Sequence, residues 1–219
     1  MRDWMEIRAS DMADQETDSL ETLSRTAARL RPWAWPGDPL PRLLFFTDPV
    51  RTPDPEDVAE RLPAGAGIVY RPFDAADAVE RGLRLTAIAQ RRGLLLLAGA
   101  DVALAEAIGA HGVHLPQRLA ETAPAIRTAH PAWRVTAAAH DAAAARAAEL
   151  AGVEALVVSP VFASNSPSAG TPLGVEGLAA IAASVALSVY ALGGVNAKTA
   201  DALVGVGVYG LAGIEVFSA

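Results

Sequence analysis

Tyr190-Ala191-Leu192-Gly193-Gly194-Val195 ends an apolar run in two consecutive glycines, and a helical pattern starting at Asn196 follows at once. A second apolar run, Val208 to Ile214, comes next. Adjacent glycines at the carboxyl end of a strand let backbone N–H groups approach a ligand closely. A helix N-terminus just beyond them favours an anion such as phosphate. Taken alone, the stretch is equally a tight strand-to-helix turn with no ligand. Its place in a repeating pattern is what favours the ligand.

That pattern starts at Leu43. Apolar runs recur at Leu43–Phe46, Gly67–Tyr70, Leu94–Ala98, Val113–Leu115, Val135–Ala139, Ala155–Val158, Val189–Leu192 and Tyr209–Ile214. Between most of them lie Ala-rich amphipathic segments, among them Ala75–Arg92, Asp141–Ala151, Val175–Ser184 and Asn196–Gly205. Strands alternating with helices mean βα units and a parallel sheet. Eight such strands close a (β/α)8 TIM barrel, and no GxGxxG follows an early strand to favour an open doubly wound sheet instead. In a barrel the active site lies at the carboxyl ends of the strands, with phosphate often held after strands seven and eight. The Gly193-Gly194 turn follows the seventh run.

Residues 1–40 differ from this barrel, which is assigned to 41–219. The first eighteen residues are polar and acidic, and Leu20, Leu23 and Leu30 then recur at near-helical spacing with Asp18 as N-cap. The proline-rich stretch from Arg31 to Pro39 ends that helix. The expectation is an N-terminal extension, helical in part, that packs Trp33 and Trp35 over the barrel.

Across 219 residues, 52% are hydrophobic and 20% charged, which suits a soluble α/β protein with strands buried on both faces. The net charge of −7 argues against a nucleic-acid partner, because such binding rests on basic surface. The absence of cysteine excludes disulfides and thiolate chemistry. No apolar run approaches the ~20 residues of a membrane span, and the N-terminus lacks the order of a signal peptide. The expected location is cytoplasmic, and the expected partner is a small-molecule phosphate ligand.

Polar groups at the strand ends are few: Asp48, Arg71, His114, Gln117, His140, Ser159, Ser164, Ser166, the Gly193 turn and Glu215. Four blocks among them carry a resemblance. Gly112-Val113-His114-Leu115-Pro116-Gln117, Ser159-Pro160-Val161-Phe162, Leu173-Gly174-Val175-Glu176-Gly177-Leu178 and Ala191-Leu192-Gly193-Gly194-Val195, in this order, resemble the thiamine phosphate synthase and TenI (thiazole tautomerase) family. The resemblance runs from about Leu43 to the C-terminus. It implies a barrel that binds a thiazole phosphate, with Gly193 and Gly194 on the phosphate and Arg71, Ser164 and Ser166 assisting. In the synthase, a pyrimidine diphosphate bound with magnesium loses diphosphate and is captured by the thiazole nitrogen. TenI-type members isomerise a thiazole phosphate carboxylate.

The synthase pattern is incompletely kept. Its Q-x-R-x-K motif is matched by Val69-Tyr70-Arg71-Pro72-Phe73, so that Arg71 stays and the Lys is Phe73. Gly99-Ala100 stands where the family has Asn-Asp, with Asp101 one position late, and Leu119 stands at a second metal carboxylate. Pro167 replaces the loop Lys after Ser164 and Ser166, and Glu215 stands where a Ser faces the phosphate. An octahedral magnesium site draws on carboxylates and phosphates, and the matching carboxylates are gone. His140, by contrast, falls on the position that the resemblance assigns as the tautomerase acid/base, and imidazole suits a proton that must be taken and returned near neutral pH.

The leading expectation is therefore TenI-like isomerase chemistry with His140 as the catalytic residue and no cofactor or metal. Magnesium belongs only to the alternative, a thiamine phosphate synthase with substitute ligands such as Asp48 and Asp101. A third reading is a non-catalytic binding or regulatory barrel. His114 is expected to support the rim through a hydrogen bond, with His111 and His130 solvated at helix ends. The chain stops soon after strand eight, leaving a barrel flank to be covered by the N-terminal helix or by another copy in a homo-oligomer.

Overall fold

A computed structural model describes residues 19–33, 37–164, 166 and 170–217. Eight parallel strands form a closed barrel in sequence order. They are β1 (Leu43–Phe46), β2 (Gly67–Tyr70), β3 (Leu95–Gly99), β4 (Gly112–Leu115), β5 (Arg134–Ala139), β6 (Ala155–Val158), β7 (Ser188–Ala191) and β8 (Gly210–Gly213). Closure comes from β1 against β8, with Leu43 opposite Leu211 and Phe45 opposite Gly213. Six helices cross between strands: α2 (Pro55–Arg61), α3 (Ala78–Arg92), α4 (Val102–Ile108), α5 (Ala123–Ala129), α6 (Ala142–Leu150) and α7 (Gly174–Ala183).

The apolar runs are continuous because each strand is buried on both faces. Leu43, Phe45, Ile68, Leu96, Val113, Leu156 and Val189 face outward and pack with helix residues such as Val58, Leu85, Ile108, Ile126 and Leu178. Their alternates Leu44, Phe46, Val69, Leu97, Val157, Tyr190 and Ala212 form a second cluster inside the barrel. Gly210 leaves space in that interior. A Cβ there would lie 2.4 Å from Cε1 of Tyr190.

Helix α1, residues 19–28, lies on the β1–β8 flank. Leu23 is fully buried, Ala27 and Leu30 nearly so, and all three belong to the outer cluster. Thr26 Oγ1 and Arg29 Nη1 each reach Asp201 Oδ1 at 3.0 Å. The Arg31 amide donates to Val208 O at 2.9 Å, and Arg42 Nη1 donates to Ala27 O at 2.8 Å and Tyr209 O at 3.1 Å. This flank is thus covered by the chain's own helix. Asp18, the expected cap, and Trp35 lie outside the described residues.

The segment before β1 closes the floor of the barrel. Trp33 meets the Tyr209 ring edge-on at 4.9 Å. Leu40 is part of the interior cluster. The Tyr190 hydroxyl donates to Pro41 O at 2.5 Å, the Tyr209 hydroxyl donates to Leu40 O, and Arg134 Nη2 donates to Asp38 O at 2.6 Å.

One expected helix is not an α-helix. Residues 196–205 contain only a 3-10 turn, Ala200–Leu203. Asn196 Oδ1 accepts from the Lys198 and Thr199 amides at 2.9 and 3.3 Å, while Thr199 Oγ1 donates to Gly194 O at 2.9 Å. These local side-chain bonds give the backbone an alternative to helical pairing. Among the described residues no helix is long and apolar enough to cross a membrane.

Candidate functional site

The carboxyl ends of β6, β7 and β8 enclose a cavity of about 460 Å³. Its wall contains Gly193 and Gly194, followed by Val195, Asn196 and Lys198; Ser164 enters from the β6 loop, Gly213 and Glu215 from β8, and Arg51 from the β1 loop. Gly193 and Gly194 have φ of +94° and +65°, conformations that a side chain resists. Space imposes the same choice at Gly194, where a Cβ would lie 2.4 Å from Ala163 O. The N–H groups of Gly193, Gly194 and Val195 donate to no acceptor among the described residues. Together they offer an anion three donors without help from an α-helix. The helix dipole expected at Asn196 is replaced by the Asn196–Thr199 turn.

Ser164 lines this cavity, and its Oγ accepts from the Ser166 amide at 3.3 Å. Ser166 itself is half-buried and is not among the lining residues. Asn165 and Pro167 lie outside the described residues.

His140 sits apart from the cavity wall, at the end of β5 and exposed. Its Nδ1 is 2.5 Å from Ser159 O and its backbone N–H donates to Gln117 Oε1 at 3.1 Å. A carbonyl can only accept, so Nδ1 carries the proton and Nε2 is left as the basic nitrogen. Ser159 Oγ, 3.5 Å from Nδ1, adds little.

Arg71 ends β2 on the far side of the mouth and does not line the cavity. Its Nε donates to Thr47 O at 2.9 Å, and the guanidinium lies 5.3 Å from the Phe46 ring centroid and 5.1 Å from that of Phe73. Nη2 is buried without a hydrogen bond, 3.9 Å from Asp48 Oδ2. Burial lowers the Arg71 pKa to about 10, so the group stays cationic at neutral pH. Phe73, at the position matched to a Lys, stacks on that cation.

The expected substitute ligands, Asp48 and Asp101, each have partners of their own. Asp48 Oδ1 accepts from the Val50 and Arg51 amides at 3.0 Å, and Oδ2 accepts from Arg51 Nη2 at 2.9 Å. Burial works to raise its pKa, but the Arg51 and Val50 hydrogen bonds win and hold it low. Asp101 Oδ1 caps α4 through the Leu104 amide at 2.9 Å. Ala100 and Leu119 offer no side-chain donor. Among the described residues no group of three or more His, Cys, Asp or Glu gathers to hold a metal. The two carboxylates offered as substitutes, Asp48 and Asp101, are each engaged in hydrogen bonds within the protein.

The remaining histidines are structural. His114 is buried inside the barrel with Nδ1 2.9 Å from Thr136 Oγ1, and burial followed by the Arg71 charge lowers its pKa to about 3. His111 Nδ1 accepts from the Leu96 amide at 3.0 Å, and His130 stacks on Trp133 at 3.8 Å with Nε2 3.3 Å from Glu106. His111 is exposed as expected and His130 half-buried, and each also makes a contact that holds local structure. Lys198 and Arg51 are the cavity residues that sequence reading missed. Lys198 left one signal, as the sole lysine in the chain.

The family described as thiamine monophosphate synthase matches residues 43–217. A putative thiamine-phosphate synthase 2 of Aquifex aeolicus is 31% identical over 131 residues, spanning 60% of this chain and 70% of its own. The thiamine-phosphate synthase of Moorella thermoacetica is 29% identical over 167 residues, 74% of this chain and 80% of its own. Among solved structures, a thiamine phosphate pyrophosphorylase from Pyrococcus furiosus superposes with a TM-score of 0.71 at 28% identity, covering 81% of this chain and 88% of that one.

Proposed function

The chain belongs to the thiamine monophosphate synthase family, and on that premise we propose that it acts in thiamine biosynthesis on a thiazole phosphate held beyond β7 and β8. The observation that carries this reading is the set of N–H groups of Gly193, Gly194 and Val195, without an acceptor among the described residues, on one cavity wall. Preorganised amides bind an oxyanion without reorganising at the moment of reaction.

The names of the relatives favour condensation to thiamine phosphate. The thiazole nitrogen forms a C–N bond to the pyrimidine methylene as the C–O bond to diphosphate breaks, and diphosphate leaves with the electron pair. Arg71, with Nη2 lacking a hydrogen bond at the mouth, is the cation available to that leaving group. No step is routed through a metal.

A specific observation favours a second reaction on the same ligand. His140 has Nδ1–H engaged by Ser159 O and Nε2 basic, the form needed to take a proton from one carbon and return it to another. That is the isomerisation of a thiazole phosphate carboxylate.

Two assays on the purified chain decide between them. One follows thiamine phosphate from the pyrimidine diphosphate and thiazole phosphate, with and without Mg2+; the other follows isomerisation by NMR. Product in the first supports condensation, and product in the second alone supports the isomerase. Thermal stabilisation by thiazole phosphate with neither product makes the chain a binding barrel. Absence of all three overturns the thiazole reading.

A further inference from the structure

Two charges in the β7–β8 cavity have no assigned work. Lys198 is exposed, lines the cavity, and its ammonium has no hydrogen bond or ion pair among the described residues. Arg51, the other cation of the wall, is committed to Asp48 Oδ2 through Nε at 3.2 Å and Nη2 at 2.9 Å. Glu215 lines the cavity from the β8 side, also exposed and without a partner among the described residues. Lys198 and Glu215 make no salt bridge with each other. The backbone that carries Lys198 is tied to the glycine turn, because Asn196 Oδ1 accepts its amide and Thr199 Oγ1 donates to Gly194 O.

We propose that Lys198 is the cation that anchors the ligand's phosphate, and that Glu215 limits the negative charge the cavity accepts, so that the site selects a monophosphate over a diphosphate. This rests on the thiazole-phosphate reading only for the identity of the organic part. With Asp48 cancelling Arg51, the free charges of the wall among the described residues are one ammonium and one carboxylate. A monophosphate on the three amides and Lys198 brings the smaller charge to Glu215. A diphosphate brings more charge into the same space and meets the carboxylate, and that repulsion grows in proportion to its charge. The amides supply direction, and Lys198 supplies the charge that a helix start would otherwise have contributed.

The test is a titration calorimetry series with inorganic phosphate, inorganic diphosphate and thiazole phosphate on the wild-type chain, Lys198→Gln and Glu215→Gln. Lys198→Gln is expected to weaken inorganic phosphate by about tenfold or more, the loss of one charged hydrogen bond. Glu215→Gln is expected to strengthen diphosphate by a larger factor than phosphate. Pyridoxal phosphate supplies an independent readout, since its aldehyde condenses with an amine, releasing water, and borohydride reduces the imine to a stable adduct. The expected adduct maps to Lys198 and is suppressed by inorganic phosphate, whereas reaction at the terminal amine is not. Unchanged phosphate affinity in Lys198→Gln, or labelling of Lys198 that phosphate leaves untouched, overturns the anchor. An equal gain for both anions in Glu215→Gln overturns the charge limit. If phosphate depends on Lys198 but thiazole phosphate binds no tighter than phosphate, the thiazole reading fails and the anchor stands.

Discussion

Ala100 holds a left-handed conformation, φ +66°, with its amide donating to His114 O at 2.8 Å. An alanine there is strained by ~1–2 kcal/mol, part of which glycine would recover against its larger unfolded-state entropy. Ala100→Gly should therefore stabilise the fold by about 1 kcal/mol, seen as a rise of ~2–4 °C in Tm. Gly194→Ala should do the opposite, because a methyl group there meets both Ala163 O and the Phe162 side chain. The expected result is a fold weakened by ~1–3 kcal/mol and no measurable phosphate binding in the same titration. If the isomerase assay is the positive one, His140→Asn should abolish that turnover while leaving thiazole phosphate affinity within about threefold, because the side chain stands off the cavity wall. The places of Gly193, Gly194 and His140 at strand ends were legible because glycine pairs and strand-end histidines announce themselves by residue type. Lys198, Arg51 and Ala100 were not. Which loop faces a cavity, and which alanine carries positive φ, depend on contacts between distant segments.

Among the elements, the eight strands were legible to within a residue or two, since burial on both faces leaves an unbroken apolar run. Residues 196–205 carried an equally apolar pattern, yet Asn196 and Thr199 turned the backbone elsewhere. Composition registered the helical period and missed the competing side-chain bonds. Helix α1 shows the converse case, a short amphipathic segment whose destination no pattern could give. It lies against β1 and β8 because the 3-10 turns after β7 and β8 leave that flank uncovered. Leu23, fully buried in this contact, is its anchor. Leu23→Ala should cost about 2–4 kcal/mol in denaturant unfolding, by lost transfer energy plus a cavity. Asp201→Ala, which removes an exposed contact to Arg29 and the partner of the buried Thr26 hydroxyl, should cost less, about 1–2 kcal/mol.

For the whole molecule, the neutral His114 makes stability depend on pH. Its ring titrates near 3 in the fold and near 6.5 when unfolded. Between those values the unfolded chain binds a proton that the folded one does not, so stability falls as pH falls below 6.5. From pH 7 to 5 this amounts to about 2 kcal/mol. His114→Asn keeps a hydrogen-bonding group for Thr136, and its denaturant midpoint should fall correspondingly less over that interval. The floor of the barrel has a consequence for assembly. The hydroxyl of Tyr209 meets Leu40 O across 169 positions of sequence. During synthesis the stopper therefore leaves the ribosome long before the residue that locks it. A nascent chain halted before Tyr209 lacks this lock, and the step that completes the vessel must wait until Tyr209 has been made.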